Sequence, residues 1–599
     1  MRRLLMASLM MCIAICTHAA KAYPFPVTIT QSDGKQLTII QHGDEDIHWT
    51  TTTDGVILVQ KGNGYYVADI DLEGNLKATT QLAHNSGERT LQETLLAKNQ
   101  KRDAFLKSAE KIMEKSPRRR IPISGSTSNH YFPHHGTPKA PVILVEFADS
   151  VFSLENPRQA FDYYLNGNGE ANPNNGEGSL PASVKDYFSM MSNGDFQPSF
   201  DIYGPVKVSA KTEGYKNNRS ALVKEACQLM DDSLDFSQYD NDNDGNIDLV
   251  YVIYAGYSAS ITGNADNCIW PASGENSLGT FDGKIGYRWG VNNELNGFPG
   301  AFSKPPYKRI NGQGLFCHEF SHTLGLPDFY PTVSASQVDN QGMEFWDLMD
   351  GGEYCGNGYF PASYTGWERE AMGWLEIETL SDAQKQIQVP ALDLGGKSYR
   401  IPNPNDPNGR EYFMIETIAQ YGWNYAQRAQ GLMVYHVNYP YDVVNAGDRP
   451  NNTKGAPAMT VIPADGLLLS SYVIEKKTNP ATGKKYTQGD YYNELAGDLF
   501  PSADNITTID NNSTFPNIKW FKGNEKTIKF ALSNISFDSE TRVATFDFVP
   551  DVAMGVGITS HDAPSSSSAT YTIDGRVVAS DSQLPKGIYI QNNKKFVVK

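Results

Sequence analysis

The run QGLFCHEFSHTLGLPDFY, residues 313–330, limits the fold of this 599-residue chain more than any other stretch. The residues leading into Gly325 carry no proline, so a helix is expected, and the i, i+4 spacing sets His318 and His322 on one face, a turn apart. Two imidazole nitrogens so placed can reach one zinc ion. Glu319, about 100° further round the helix, is displaced from that ion yet able to accept a proton from water bound to it. Gly325 can take the left-handed backbone that stops a helix and Pro327 prevents its continuation, so the chain can turn and carry Asp328 back toward the histidines. An aspartate oxygen would then complete a three-ligand site with one open position. The bland alternative leaves Asp328 on the surface of a helix-ending turn and takes a third ligand from elsewhere. A chance HExxH is expected in roughly one such chain in a hundred, and Gly325 and Asp328 at their steps lower that to about one in twenty thousand. The chemistry implied is peptide-bond hydrolysis, with Glu319 taking a proton from water and passing it to the leaving amine.

Length favours several units of roughly 100–200 residues each. Apolar residues at 40% and charged residues at 20% fit a globular protein, and a formal net charge of −17 argues against nucleic acid or an anionic membrane as partner. At the N-terminus, Arg2 and Arg3 precede an apolar run from Leu4 to Cys16 and small residues at Ala20 and Ala22. That pattern predicts a secretory signal peptide over residues 1–22 and a secreted or cell-surface product. Elsewhere no apolar run reaches the ~18 residues needed to span a bilayer. Cys227, Cys268, Cys317 and Cys355 remain beyond the signal. In an exported chain they could form two disulfides in any of three pairings, and none stands in the CxxC spacing of a cysteine zinc site.

Short strands with turns at Asp33-Gly34, Asp54-Gly55 and Glu73-Gly74 predict a small β unit up to about residue 90. A charged helical stretch, Leu91 to Lys115, follows, and then a linker, SPRRRIPISGSTSN, where Arg118, Arg119 and Arg120 invite proteolysis. PVILVEFAD and LVYVIYAGY read as buried strands, SVKDYFSMMS and SALVKEACQLMDD as helices, the second capped by Ser220. Strands alternating with helices predict one α/β domain ending near residue 378. Beyond it, EYFMIETI and GLMVYHVNY predict a β-sandwich over residues 379–551, and SSSS at 565–568 a linker to a β-like tail spanning 552–599.

HEFSHTLGLPD resembles the extended zinc motif of the metzincin-like M6 metalloproteases, the immune inhibitor A family, in which an aspartate replaces the third histidine of ordinary metzincins. FWDLMDGGEY, residues 345–354, is similar to that family's methionine turn, which would set Met349 beneath the metal; standing alone it would read as a core methionine. PVILVEFAD, VKDYFSMMS and the stretch from EYFMIET through GLMVYHVNY match as well, so the resemblance extends over most of residues 120–500. It implies a metzincin-like catalytic domain over residues 123–378, and a propeptide over residues 23–122 that holds the enzyme latent without a cysteine to block the zinc.

DNDNDGNID offers a second metal candidate, with Asp240, Asp242, Asp244 and Asp248 as calcium ligands around a turn at Gly245. Tyr251 stands where an EF-hand has its bidentate glutamate, so a structural ion is expected, and the alternative is a solvated Asx-rich turn. Glu416 and His436 in the β region read as hydrogen-bonded core residues. YTIDGRVV with LPKGIYIQNNKKFVVK resembles the C-terminal sorting domain of type IX secretion cargo, which implies that machinery as a partner. The whole reads as a multidomain α/β plus β protein, a secreted zinc endopeptidase made as a zymogen and acting on extracellular proteins. The alternative is a catalytically silent surface binding or adhesion protein on a protease scaffold.

Overall fold

The computed structural model describes residues 16–18, 20–44, 47–62, 64–113, 131–167, 182–262, 268–297, 309–332, 336, 342–441, 446–471, 477–479 and 482–551, and in the tail 570–572, 577–578, 584, 586–591 and 594–598. The hydrophobic core of the expected signal peptide, the arginine linker and the SSSS run lie outside the described residues. Residues up to Val552 form one compact unit, and Ala553–Lys599 form a second.

Six antiparallel strands, from Val27–Thr30 to Leu76–Leu82, pair in sequence order. The predicted turns fall at Gly34, Gly55 and Gly74, each with φ between +82° and +89°, which a residue without Cβ adopts at little steric cost. The charged stretch that follows makes two helices, Leu91–Asn99 and Arg102–Met113. Phe105 and Ala109 of the second complete a small apolar core with Ile57, Ala68 and Ile70.

The central sheet runs, by neighbour, through Cys16–His18, Ala272–Phe281, Lys284–Leu295, Val250–Tyr257, Lys139–Glu146 and Ser199–Lys207. The last four pair in parallel, and the two inner ones, Val250–Tyr257 and Lys139–Glu146, carry the near-continuous apolar runs of strands buried on both faces. Ala272–Phe281 runs antiparallel to its inner neighbour, and Cys16–His18 adds antiparallel outside it, pairing Thr17 with Gly274. Helix Val184–Met191 starts with a full capping box from Ser183 and Asp186. Helix Arg219–Met230 is capped by Asn218, whose side chain accepts from the Ala221 amide. Ser220, expected as the cap, is already helical and donates its hydroxyl to Asn218 Oδ1.

Five strands, Glu378–Thr379, Tyr399–Pro402, Glu411–Ile418, Gly431–Asn438 and Met459–Val461, form a further sheet. Gln384–Pro390, Ala531–Asp538 and Val543–Val549 form another, and the two share an apolar core that includes Val389, Phe413, Val434, Leu532 and Phe546. A larger cluster runs from Leu37 and Ile39 through Phe316 and Phe320 to Met433 and Tyr435, across both expected internal boundaries. In the second unit, Thr570–Thr572, Val577–Val578, Gly587–Gln591 and Lys594–Val598 form a four-stranded sheet. Cys227, Cys268, Cys317 and Cys355 are all buried free thiols, so no expected disulfide forms; Cys317 is a core residue of the motif helix.

Candidate metal centre and cleft

The motif helix spans Gln313–Leu324 and every one of its residues is buried. Aromatic contacts pack it against the sheet and a neighbouring helix: the Phe316 ring lies 4.3 Å from Tyr251 and 5.6 Å from Phe200, centroid to centroid, and Phe320 lies 5.0 Å from Phe188. The helix stops at Gly325, φ +108°, whose amide donates to the His322 carbonyl while that of Leu326 donates to Ser321. This closure turns the chain back on itself and brings Asp328 to the histidines.

His318 Nδ1 donates to the Leu348 carbonyl at 3.0 Å and His322 Nδ1 to the Leu326 carbonyl at 2.7 Å. Both bonds leave Nε2 as the nitrogen that can bind a metal. The two Nε2 atoms stand 3.2 and 3.3 Å from Asp328 Oδ1. His318 Nε2, Asp328 Oδ1 and Glu319 Oε2 are buried without a hydrogen-bond partner. Two imidazole nitrogens and a carboxylate oxygen converging in this way form a donor set that fits zinc. Burial alone would lift the Asp328 carboxyl, but His322 and the Arg449 guanidinium on its other oxygen hold it well below the usual carboxylate range.

Met349 is fully buried in the turn whose Leu348 carbonyl orients His318. Its own amide is fixed by Asp347 and its carbonyl by the Phe329 amide, one residue past Asp328. Met349 is thus tied to the residue that follows Asp328, and Gly325 to the helix end that carries His322.

Glu319 is fully buried beside the sheet edge. Its Oε1 accepts the backbone N–H of Ala20 at 2.7 Å. Cys16–His18 pairs with the edge strand, the Ala20 carbonyl accepts from Trp270 Nε1 at 2.8 Å, and the Lys21 carbonyl accepts from Tyr354 Oη. Burial pushes the Glu319 carboxyl well above its ordinary range, with the Ala20 bond opposing.

Asp240, Asp242, Asp244 and Asp248 also gather, within 4.8 Å of one another. Their oxygens are engaged within the loop: Asp240 accepts the Asp244 and Gly245 amides and lies 2.5 Å from Lys284 Nζ, and Asp248 accepts two bonds from Asn241. These bonds are those of an Asx-rich turn with a lysine beside it, and calcium there gains no support. His436 bonds Glu411 and the Asn517 carbonyl, and Glu416 accepts from Gly366, Tyr435 and Ser398, so both are core residues. Sequence reading missed Arg449, which lies 121 residues from Asp328 with no local signal. It also passed over Glu344, Asp350 and Glu353, although acids flanking a buried methionine turn were visible around FWDLMDGGEY.

Residues 134–375 match the model of the immune inhibitor A peptidase M6 catalytic domain. Among curated proteins, it is 23% identical over 303 residues to immune inhibitor A of Bacillus thuringiensis, covering 42% of each chain. It is 23% identical over 340 residues to the pre-pro-metalloprotease PrtV of Vibrio cholerae, covering 51% of this chain and 35% of the other. The chain therefore spans less than half the length of either relative. A crystal structure of metalloproteinase-II from Bacteroides fragilis aligns over 59% of this chain and 85% of that one, at 13% identity and a TM-score of 0.20, too low to bear on the fold. Among the described residues, no helix is long and apolar enough to cross a membrane.

Proposed function

We propose that the protein is a secreted zinc endopeptidase, made as a latent precursor, that hydrolyses peptide bonds of extracellular proteins. The convergence of His318, His322 and Asp328 beside Glu319 carries this reading, and the M6 match over the same residues supports it. Held by those three side chains, zinc would supply a Lewis acid and a water of lowered pKa. Leu348 and Leu326 orient the imidazoles, and Arg449 keeps Asp328 ionised. Glu319 Oε1, in hydrogen-bonding reach of a peptide N–H, can move a proton between water and the nitrogen of a cleaved bond. Its burial favours the protonated form it must hold between those two tasks. The edge strand Ala272–Phe281 would bind substrate backbone antiparallel, as it binds Cys16–His18.

A peptide N–H on Glu319 and a strand on the edge would exclude substrate while residues 16–20 stay in place, and latency after their removal would rest with the propeptide over residues 23–122. The metzincin relation, and export through type IX machinery by the C-terminal sheet, belong to this proposal and rest on motif resemblance. Casein turnover by zinc-loaded wild type and Glu319→Ala tests it. A loss of about 10²–10⁴-fold in kcat is expected; equal turnover would leave the silent binding protein as the better reading. Bound zinc should fall below one equivalent in His318→Ala.

A further inference from the structure

Lys21 is one residue beyond the amide that contacts Glu319, yet its side chain is 1% exposed. A buried ammonium is costly unless it is paired. Here Nζ lies 2.8 Å from Asp350 Oδ1, with the Tyr330 and Phe345 rings 5.8 and 6.0 Å away. The Glu344 and Glu353 carboxyls face the same ammonium. The three acids are held unequally. Asp350 Oδ2 accepts the Met343 and Glu344 amides, and Glu344 accepts from the Ser471 amide and Tyr491 Oη. Both oxygens of Glu353 are buried with no hydrogen-bond partner, a cost the fold bears without structural return. The floor is Gly351, where a Cβ would come within 2.9 Å of Lys21 Nζ.

We propose that this pocket, formed by Glu344, Asp350, Glu353 and Gly351, selects a lysine or arginine of the substrate. Lys21 fills it in the precursor as a substrate side chain would. The flanking backbone runs antiparallel to the cleft edge, which is the orientation a peptide takes when it extends a sheet. Its position sets the register: the basic side chain lies within two residues of the cut, on the C-terminal side. Signal cleavage after Ala22 removes Lys21 and opens the pocket. This inference rests on the endopeptidase reading for its consequence, though not for the binding itself.

The test uses the full secreted chain and two peptides identical except for Lys or Leu in the residue after the cleft-facing amide. Binding is read on Glu319→Ala by titration calorimetry, and cleavage on wild type by kcat/KM. The expected result is on the order of 100-fold in favour of Lys, as for a site whose buried polar groups are left unpaired by the wrong ligand. The ratio should collapse in Glu353→Gln and in Gly351→Ala. Cleavage-site sequencing of casein fragments gives a check that needs no variant to fold, with Lys and Arg enriched in the first two positions after the cut. Equal binding of both peptides, or fragments with no basic enrichment, overturns the pocket. Selective Lys binding without any cleavage keeps the pocket and sinks the endopeptidase reading instead.

Discussion

Gly325→Ala should uncouple the motif helix from the metal site. The residue sits at φ +108°, where an L side chain is strained, and its added Cβ would lie 2.9 Å from two ring carbons of Tyr131. Placing a Cβ at positive φ costs about 1 kcal/mol or somewhat more. Overpacking against a ring costs about 1–3 kcal/mol besides. The sum, roughly 2–4 kcal/mol, is large because the Gly325 closure also positions Asp328. Gly395→Ala is the internal control: φ is +75° there, and nothing lies within 4 Å of the new Cβ. It should show the backbone strain alone, about 1 kcal/mol. Urea unfolding followed by fluorescence reads both variants as a fall in midpoint at unchanged slope, and zinc content after dialysis reads the site. Gly325→Ala should fall clearly further than Gly395→Ala and retain less zinc. Equal midpoints for the two variants would refute the argument, since the ring contact would then be relieved at no cost.

Arg449→Met strips a buried carboxylate of its guanidinium and should destabilise the chain by about 3–5 kcal/mol; a change under about 1 kcal/mol in the same urea experiment would show that Asp328 is held otherwise. Glu416 is raised to about 7, mainly by burial. Its folded pKa exceeds the unfolded one, so its contribution is fully present below about pH 4.5 and is lost as pH rises through about 7. Glu416→Gln should therefore gain on wild type across that window, by up to about 3 kcal/mol, and a pH-independent difference would contradict the assignment. Cys227, Cys268, Cys317 and Cys355 should resist a thiol reagent in the native protein and react after urea without prior reduction; a need for reductant would reveal disulfides.

The motif helix, its glycine stop and the return of Asp328 were legible because each depends on residues within a few positions of the next. Core strands such as Val250–Tyr257 were legible for the related reason that burial on both faces writes a continuous apolar run. The Asn218 cap was missed by two residues, since either Asn or Ser satisfies the preference and only backbone geometry decides. Arg449 and the acidic pocket were illegible for a different reason. Their partners come from distant segments, Asp328 for one and Lys21 for the other, and pairwise chemistry over such separations leaves no periodic trace. The aspartate loop stays ambiguous in sequence because calcium ligands and Asx turns draw on the same residues, and Lys284, which pairs with Asp240, arrives from another strand.

Arg449 also lies 3.6 Å from Asp44, in the N-terminal β region, while it binds Asp328 in the metal cluster. One cation is thus shared between a residue of the expected prosegment and a metal ligand. Releasing Asp44 concentrates that charge on Asp328 and draws electron density from the oxygen facing the histidines. By reciprocity, docking of the N-terminal β region and binding of a metal at Asp328 would each change the affinity of the other by the same factor, because both draw on one guanidinium.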